Sequence, residues 1–148
     1  MNMHRGPATR EKIEEHRQVF DQLWCNFEIV AKACHANGGK IAIEWPKGCT
    51  YWKDSRVIAL IERFALCSYA LDGCMYGLRS VVRKTRGKFL RKPWIIMSDC
   101  DDFWRIENRC NHDRRAHVRI QGADAKLTEG YTDQMADRIH LCWECHCL

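Results

Sequence analysis

The stretch GGKIAIEWP, residues 38–46, decides the predicted fold because it joins a glycine turn to a short apolar strand. Gly38 and Gly39 can adopt the left-handed conformation that ends a helix. Ile41 and Ile43 alternate with smaller or polar residues, which is typical of a β-strand, and Pro46 ends the strand because it has no N–H to donate. This order predicts an α/β unit.

The segment before this stretch predicts a long helix. From about Thr9 to Asn37, apolar residues recur at steps of three and four, so that they share one helix face. Thr9 is the expected N-cap. The residues of this face are Ile13, Phe20, Leu23, Trp24, Phe27, Val30, Ala31 and Cys34.

The rest of the chain predicts further strands and three shorter helices. Asp54 or Ser55 can cap a second helix, Asp99 or Asp101 a short third one, and Thr132 a last one. The runs LCSYALD, MYGLRSVV and KPWIIMSD are short and apolar and read as strands. Together these elements predict an α/β fold with helices on a mixed sheet of about four strands.

The composition indicates one folded domain over residues 1–148. Hydrophobic residues make up 46% of the chain, which is far from the composition of disordered proteins. No apolar run approaches the roughly 18 to 20 residues needed to cross a bilayer, and the first residues lack a secretory apolar region. Glu11, Glu14 and Glu15 argue against a transit peptide, so we expect a protein of the cytoplasm or nucleus with no membrane contact.

Ten cysteines are a high number for a chain of this length. Without a secretory signal they are expected to be reduced, because intracellular compartments keep thiols free. We expect Cys25, Cys34 and Cys67 to be buried and to pack as small apolar side chains.

Positive charge is concentrated in the middle of the chain. The net charge is only +5, but the clusters RKTRGKFLRK and DRRAHVR, at residues 83–92 and 113–119, are strongly basic. Such cations can track phosphates, although a solvated surface is the simpler alternative. The residues expected to contact nucleic acid are Arg83, Lys84, Arg86, Lys88, Arg91, Lys92, Arg114 and Arg115.

Cysteine and histidine near the C-terminus form a candidate zinc site, because thiolate and imidazole are the ligands that zinc prefers. One half is predicted at Cys142, Cys145 and Cys147. The other half can come from the CNHDRRAH segment. The alternative is that Cys142 packs on a helix face while the tail frays. The candidate ligands of the second half are Cys110, His112 and His117.

Two segments carry a family resemblance: GGKIAIEWP and the later CMYGLRSVVRKTRGKFLRKPWIIMSD, residues 74–99. Glu44 opens a triplet at the end of the first strand, and Tyr76 and Gly77 open a basic hairpin that runs into a second strand. These segments resemble the C-terminal half of the cytosine-5 DNA methyltransferase catalytic domain. The resemblance implies an incomplete Rossmann-like, methyltransferase-type layer over residues 1–100, with residues 101–148 as a basic, Cys/His-rich helical extension.

By this resemblance Glu44 is the catalytic carboxylate that contacts the target cytosine. We expect it at the carboxyl end of a central strand, with the stretch from Tyr76 to Ile96 beside it in one sheet. The sequence has no Phe-x-Gly-x-Gly loop for S-adenosylmethionine and no Pro-Cys dipeptide for the catalytic thiol. Attack on cytosine needs a thiolate as well as an acid. Cys49 and Cys74 are the only other candidates for it, so we expect no cofactor and no activity in the isolated chain.

Three functions remain open from the sequence. The first is a methyltransferase-like remnant that binds nucleic acid or completes a larger assembly. The second is a structural or accessory subunit of a protein complex, and the third is a small zinc-stabilised binding module. An unfinished sheet leaves backbone groups unpaired along an edge, so a protein partner or a homodimer is expected in each case.

Overall fold

A computed structural model describes residues 6–146 of the chain. Within these residues there are four α-helices and five short strands, so the prediction of a mixed α/β fold is confirmed. The helices are α1 Pro7–Ala36, α2 Ser55–Arg63, α3 Ala123–Leu127 and α4 Asp133–His146. The strands are β1 Ala42–Pro46, β2 Cys67–Asp72, β3 Phe89–Leu90, β4 Pro93–Ser98 and β5 His117–Val118. Short 3-10 helices occupy Thr50–Lys53, Gly73–Tyr76, Asp101–Ile106 and Arg114–Ala116.

The main sheet has three strands in the order β1-β4-β2, and both neighbours pair with β4 in antiparallel fashion. The prediction of a mixed sheet of about four strands is therefore only partly right, and Rossmann-like layering is not confirmed. The strand expected at MYGLRSVV, residues 75–82, is not formed. Its first two residues end the 3-10 turn Gly73–Tyr76, Gly77 closes that turn with φ +77, and Arg79 makes an isolated bridge to Phe89. A second, separate pair of strands joins β3 to β5 in parallel.

The sheet separates two apolar cores. One core lies with α1 and α2 and includes Trp24, Ile43 and Leu60. The other lies with the C-terminal part of the chain and includes Trp94, Ile96 and the fully buried Phe103, Met135 and Cys142. Along β4 the side chains alternate: Trp94 and Ile96 enter the second core, while Met97 packs against the first. This period of two is what a sheet covered on both faces requires.

Some predicted helix caps are right and others wrong. Asp54 caps α2, because its side chain accepts a hydrogen bond from the Arg56 N–H at 2.9 Å. Thr132 accepts from the Met135 N–H at the start of α4. Thr9 is not a cap, because α1 already begins at Pro7. Asp99 caps no helix either; its carboxylate accepts the Ile41 N–H at 2.6 Å and ties β1 to the end of β4.

The nine cysteines of the described residues are all free thiols. Cys25 and Cys67 are exposed rather than buried, which corrects the expectation for these two. Cys25 belongs to the side of α1 that faces away from the core, and Cys67 is the first residue of β2. Cys34 is half-buried and donates weakly to the Lys40 carbonyl.

Within residues 6–146, no helix has both the length and the apolar character that a membrane crossing requires. The longest, α1, has 30 residues but carries charged side chains throughout its first half.

Candidate metal centre and its basic surroundings

Four side chains from two distant parts of the chain meet at one point. They are Cys74 in the turn after β2, Cys110 and His112 in the loop that follows the 3-10 helix Asp101–Ile106, and His117 at the start of β5. One ligand atom from each lies within 4.8 Å of all the others. Cys74 is buried and the other three are half-buried. Two thiols and two imidazoles form the donor set of a Cys2His2 metal site.

The spacing of the donors suits one tetrahedral ion. The Cys110 Sγ lies 3.6 Å from His112 Nδ1 and 3.3 Å from His117 Nε2. Tetrahedral zinc bonds of ordinary length place sulfur and nitrogen ligands about 3.5 Å apart. The His117 Nδ1 lies 3.1 Å from the Asp113 carbonyl oxygen. Donation to that oxygen fixes the proton on Nδ1 and leaves Nε2 free to bind a metal.

A glycine turn brings Cys74 to this point. Gly73 is packed so closely that an added Cβ would lie 2.5 Å from Trp94 and 2.8 Å from Leu78. Only a residue without a side chain fits there, because real Cβ atoms do not approach others so closely. The turn continues to Tyr76, whose hydroxyl donates to the Ile106 carbonyl at 2.5 Å. The position of Cys74 is therefore set by packing against β4.

Asp72 joins the two halves of the cluster. Its carboxylate is fully buried, and Oδ2 accepts the Cys110 N–H at 2.9 Å. The backbone N–H of Asp72 donates to the Asn108 carbonyl at 3.0 Å. The Arg91 guanidinium lies beside the other oxygen, with Nε 3.4 Å from Oδ1. A buried carboxylate needs such partners, and here they fix the Cys110 loop beside the Cys74 turn.

An aromatic stack supports the histidine side. The rings of Phe89 and His112 are nearly parallel, with centroids 3.8 Å apart, and the Arg79 guanidinium lies 4.1 Å from the Phe89 centroid on a cation–π contact. Phe89 pairs with His117 in the β3–β5 ladder. The first basic segment is thereby attached to the metal-ligand loop.

Cys74 needs a cation to bring its sulfur atom into the charged form. Burial, together with the nearby Cys110 and Asp72, raises the pKa of the Cys74 thiol to about 12. At neutral pH such a thiol is protonated unless a metal displaces the proton. Cys74 is therefore poorly suited to act as a free nucleophile and well suited to act as a structural ligand.

No protein-family model matches this chain, and neither does any curated protein or solved structure.

The structure brings together three of the six predicted zinc ligands, namely Cys110, His112 and His117. Cys142 and Cys145, from the half predicted near the C-terminus, do not join them. Cys142 is fully buried in the second apolar core, where its carbonyl lies 4.0 Å from the Cys100 sulfur. Cys145 is half-buried on α4 and is outside the cluster. Cys147 lies outside the described residues.

Cys74 is the member of the cluster that the sequence does not predict as a metal ligand. The sequence indicates only a loop cysteine and a candidate nucleophile. The signal available in the sequence was the DG turn directly after a predicted strand, which presents the next residue at a strand end. The spacing does not indicate that this strand end lies beside Cys110, because 35 residues lie between Cys74 and Cys110 in the sequence.

The predicted nucleic-acid contacts fall into two groups. Arg91 pairs with Asp72, and the Lys92 ammonium donates to the Thr128 carbonyl and lies over the Trp94 ring, so both have structural partners. The other six are exposed, and none of them has a carboxylate partner among residues 6–146. These six are Arg83, Lys84, Arg86, Lys88, Arg114 and Arg115.

Glu44 lies on an edge strand, not on the expected central one, because β4 occupies the centre of the sheet. The stretch ending at Ile96 does lie beside it, since Glu44 pairs with Ile96 across the sheet. The Tyr131 hydroxyl donates to Glu44 Oε2 at 2.5 Å. Burial raises the pKa of Glu44, while the hydrogen bond from Tyr131 and the charge of Lys92 oppose the rise. The other oxygen, Oε1, is buried without a partner among the described residues.

Proposed function

We propose that this chain is a small zinc-stabilised module that binds nucleic acid through its basic segments. The observation that carries the proposal is the convergence of Cys74, Cys110, His112 and His117 on one point. Four ligands of this kind without an added acidic residue are typical of closed structural zinc sites rather than of catalytic ones.

The donor set favours zinc over other common ions. Calcium and magnesium require oxygen ligands, and no carboxylate belongs to the cluster. Mixed thiolate and imidazole ligands in a tetrahedral arrangement suit zinc. The partial burial of the site protects the sulfur atoms, while His112 and His117 stay close enough to the surface for an ion to enter.

A zinc ion here would stabilise the region that carries the positive charge. The two basic segments are residues 83–92 and 113–119. Within residues 6–146 they are joined by the strands β3 and β5, which have two residues each. So short a ladder contributes little on its own. A metal bound by ligands on both sides of this ladder would hold the two strands together. In small domains with little apolar core, metal binding supplies folding free energy in this way.

Nucleic acid is the partner that the charge pattern favours. From Arg79 to Ser98 the chain contains seven lysine and arginine residues and no acidic residue. In the second segment the Asp113 carboxylate accepts a hydrogen bond from the backbone N–H of Arg115 at 2.6 Å and forms no ion pair with a cationic side chain of the described residues. Unpaired cations of this density attract polyanions and release counterions from phosphates.

Metal content tests the first half of the proposal. Purified protein analysed by mass spectrometry under native conditions should carry one zinc ion per chain. Addition of cobalt to metal-free protein should give the intense visible absorption of a tetrahedral thiolate site. Metal-free protein with unchanged thermal stability would contradict the proposal.

Oligonucleotide binding tests the second half. Fluorescence anisotropy with short single-stranded and duplex oligonucleotides should show binding that weakens steeply as salt rises. The double variant Arg114→Glu with Arg115→Glu should reduce affinity at low salt by at least about tenfold. The matched control is Lys32→Glu with Lys47→Glu, which makes the same charge change at exposed sites outside both segments. Equal losses in the two variants would indicate only a net-charge effect.

The resemblance to cytosine-5 DNA methyltransferases and the Rossmann-like layering it implies stay predictions, and the proposal does not depend on them. An accessory role in an assembly is compatible with the zinc site. Binding of S-adenosylmethionine to the isolated chain, measured by calorimetry, would favour the methyltransferase relationship over the module proposed above.

A further inference from the structure

Helix α1 carries two apolar stripes, and only one of them is used by the fold. Phe20, Trp24, Phe27 and Ala31 face the first core. The second stripe, about 100° around the helix, is exposed to solvent. Its large members are Val19, Leu23, Ile29 and Val30, exposed by 55%, 61%, 67% and 63%.

The exposed stripe has the spacing of a helix–helix contact. Val19, Leu23, Asn26, Val30 and Ala33 follow one another at alternating steps of four and three, which is the pattern of positions a and d in paired helices. The flanking residues on the same face are Gln22 and Ile29. No residue of this face between Val19 and Ala33 is charged, so a strip about 21 Å long can be desolvated without burying a charge. The seven residues from Val19 to Ala33 on this face are called the α1 seam below.

The α1 seam is symmetric about its middle residue. Val19 and Ala33 lie seven residues on either side of Asn26, and Leu23 and Ile29 lie three residues on either side. Two such helices placed antiparallel about a two-fold axis at Asn26 oppose a large side chain to a small one at each end. At the centre they bring two carboxamides together, and a carboxamide both donates and accepts hydrogen bonds.

We propose that a second copy of this chain packs antiparallel along the α1 seam, with its axis at Asn26. Self-complementarity of this kind is what an interface between identical subunits requires, because each contact must occur twice. A concave surface of about 330 Å³, lined by Leu23, Trp24 and Trp45, borders the seam and would receive a large side chain of the second copy.

Sedimentation equilibrium of the full chain tests the proposal. The chain of 17.4 kDa should sediment as a dimer at micromolar concentration. Asn26→Asp and Asn26→Lys should each weaken dimerisation by at least about tenfold, because each places like charges opposite one another. A 1:1 mixture of the two variants should recover the dimer as a mixed pair. Only a contact that places the two copies of residue 26 face to face predicts this rescue.

Two controls keep the test decisive. Asn26 is exposed in the single chain, so both variants should keep the circular dichroism spectrum and thermal stability of a monomer. Ile58→Asp changes another exposed apolar residue, on α2, and should leave the dimer intact. A monomeric wild-type protein, or a dimer that survives charges at residue 26, would overturn the proposal.

Discussion

Cys74 differs from the other three proposed ligands because its side chain is buried, with only 2% exposed. Cys74→Ser replaces a sulfur ligand by a hydroxyl of similar size. The change should lower zinc affinity by more than about 100-fold, since loss of an outer-shell partner alone costs about 10- to 100-fold. Competition with a chromophoric chelator measures this affinity. Cys67→Ser, at an exposed thiol outside the cluster, should leave it unchanged.

Asp72 acts on the same site without touching the ion. Asp72→Asn keeps the shape of the side chain but weakens its hydrogen bond from the Cys110 N–H and removes its ion pair with Arg91. Zinc affinity should fall by about 10- to 100-fold, as for other outer-shell partners. The cobalt spectrum should retain its tetrahedral form, because all four ligands remain. A changed spectrum would indicate that Asp72 determines which ligands bind.

Glu44 should make the stability of the protein depend on pH. Burial raises its pKa above the ordinary value of 4.5, so the folded chain holds this proton at pH values where the unfolded chain has released it. The stabilisation is complete below the unfolded pKa and is lost as pH rises through the folded pKa. Urea unfolding of Glu44→Gln should therefore show a weaker fall in stability above pH 4.5 than the wild type. An identical pH profile would exclude Glu44 as the source.

The Gly73–Tyr76 turn is the element that delivers Cys74. Gly73→Ala introduces a Cβ into space occupied by Trp94 and Leu78 and should destabilise the protein by about 1–3 kcal/mol. Gly48→Ala is the matched control, because a Cβ there meets no atom within 4 Å. Chemical denaturation should separate the two variants, and zinc affinity should fall only in Gly73→Ala.

Elements with strong local signals were predictable from the sequence. The helical spacing from Phe20 to Ala31 and the Asp54 cap required only neighbours along the chain. The strand expected at residues 75–82 failed, because Gly77 and the close packing of Gly73 favour a turn there. The partners of β4 were also unpredictable, since strand pairing depends on contacts far apart in sequence. For the same reason Cys110, His112 and His117 could be predicted as candidate metal ligands but Cys74 could not.

On the scale of the whole molecule, zinc and nucleic-acid binding should be linked. Removal of the metal with a chelator should loosen the β3–β5 region and lower oligonucleotide affinity by at least about tenfold, because the cations lose their fixed spacing. Readdition of zinc should restore binding. Anisotropy with and without the chelator measures both steps, and the Cys74→Ser variant should not respond to zinc. Equal affinity in the two states would separate the metal from the binding surface.

The central position of β4 joins the two apolar cores into one cooperative unit. Trp94 and Ile96 belong to one core while Met97 touches the other, so neither core can open without exposing the back of this strand. The amide hydrogens of β4 should consequently exchange with heavy water only when the entire chain unfolds, and they should be the slowest of all. A defect introduced on the metal side would then also destabilise the packing of α1.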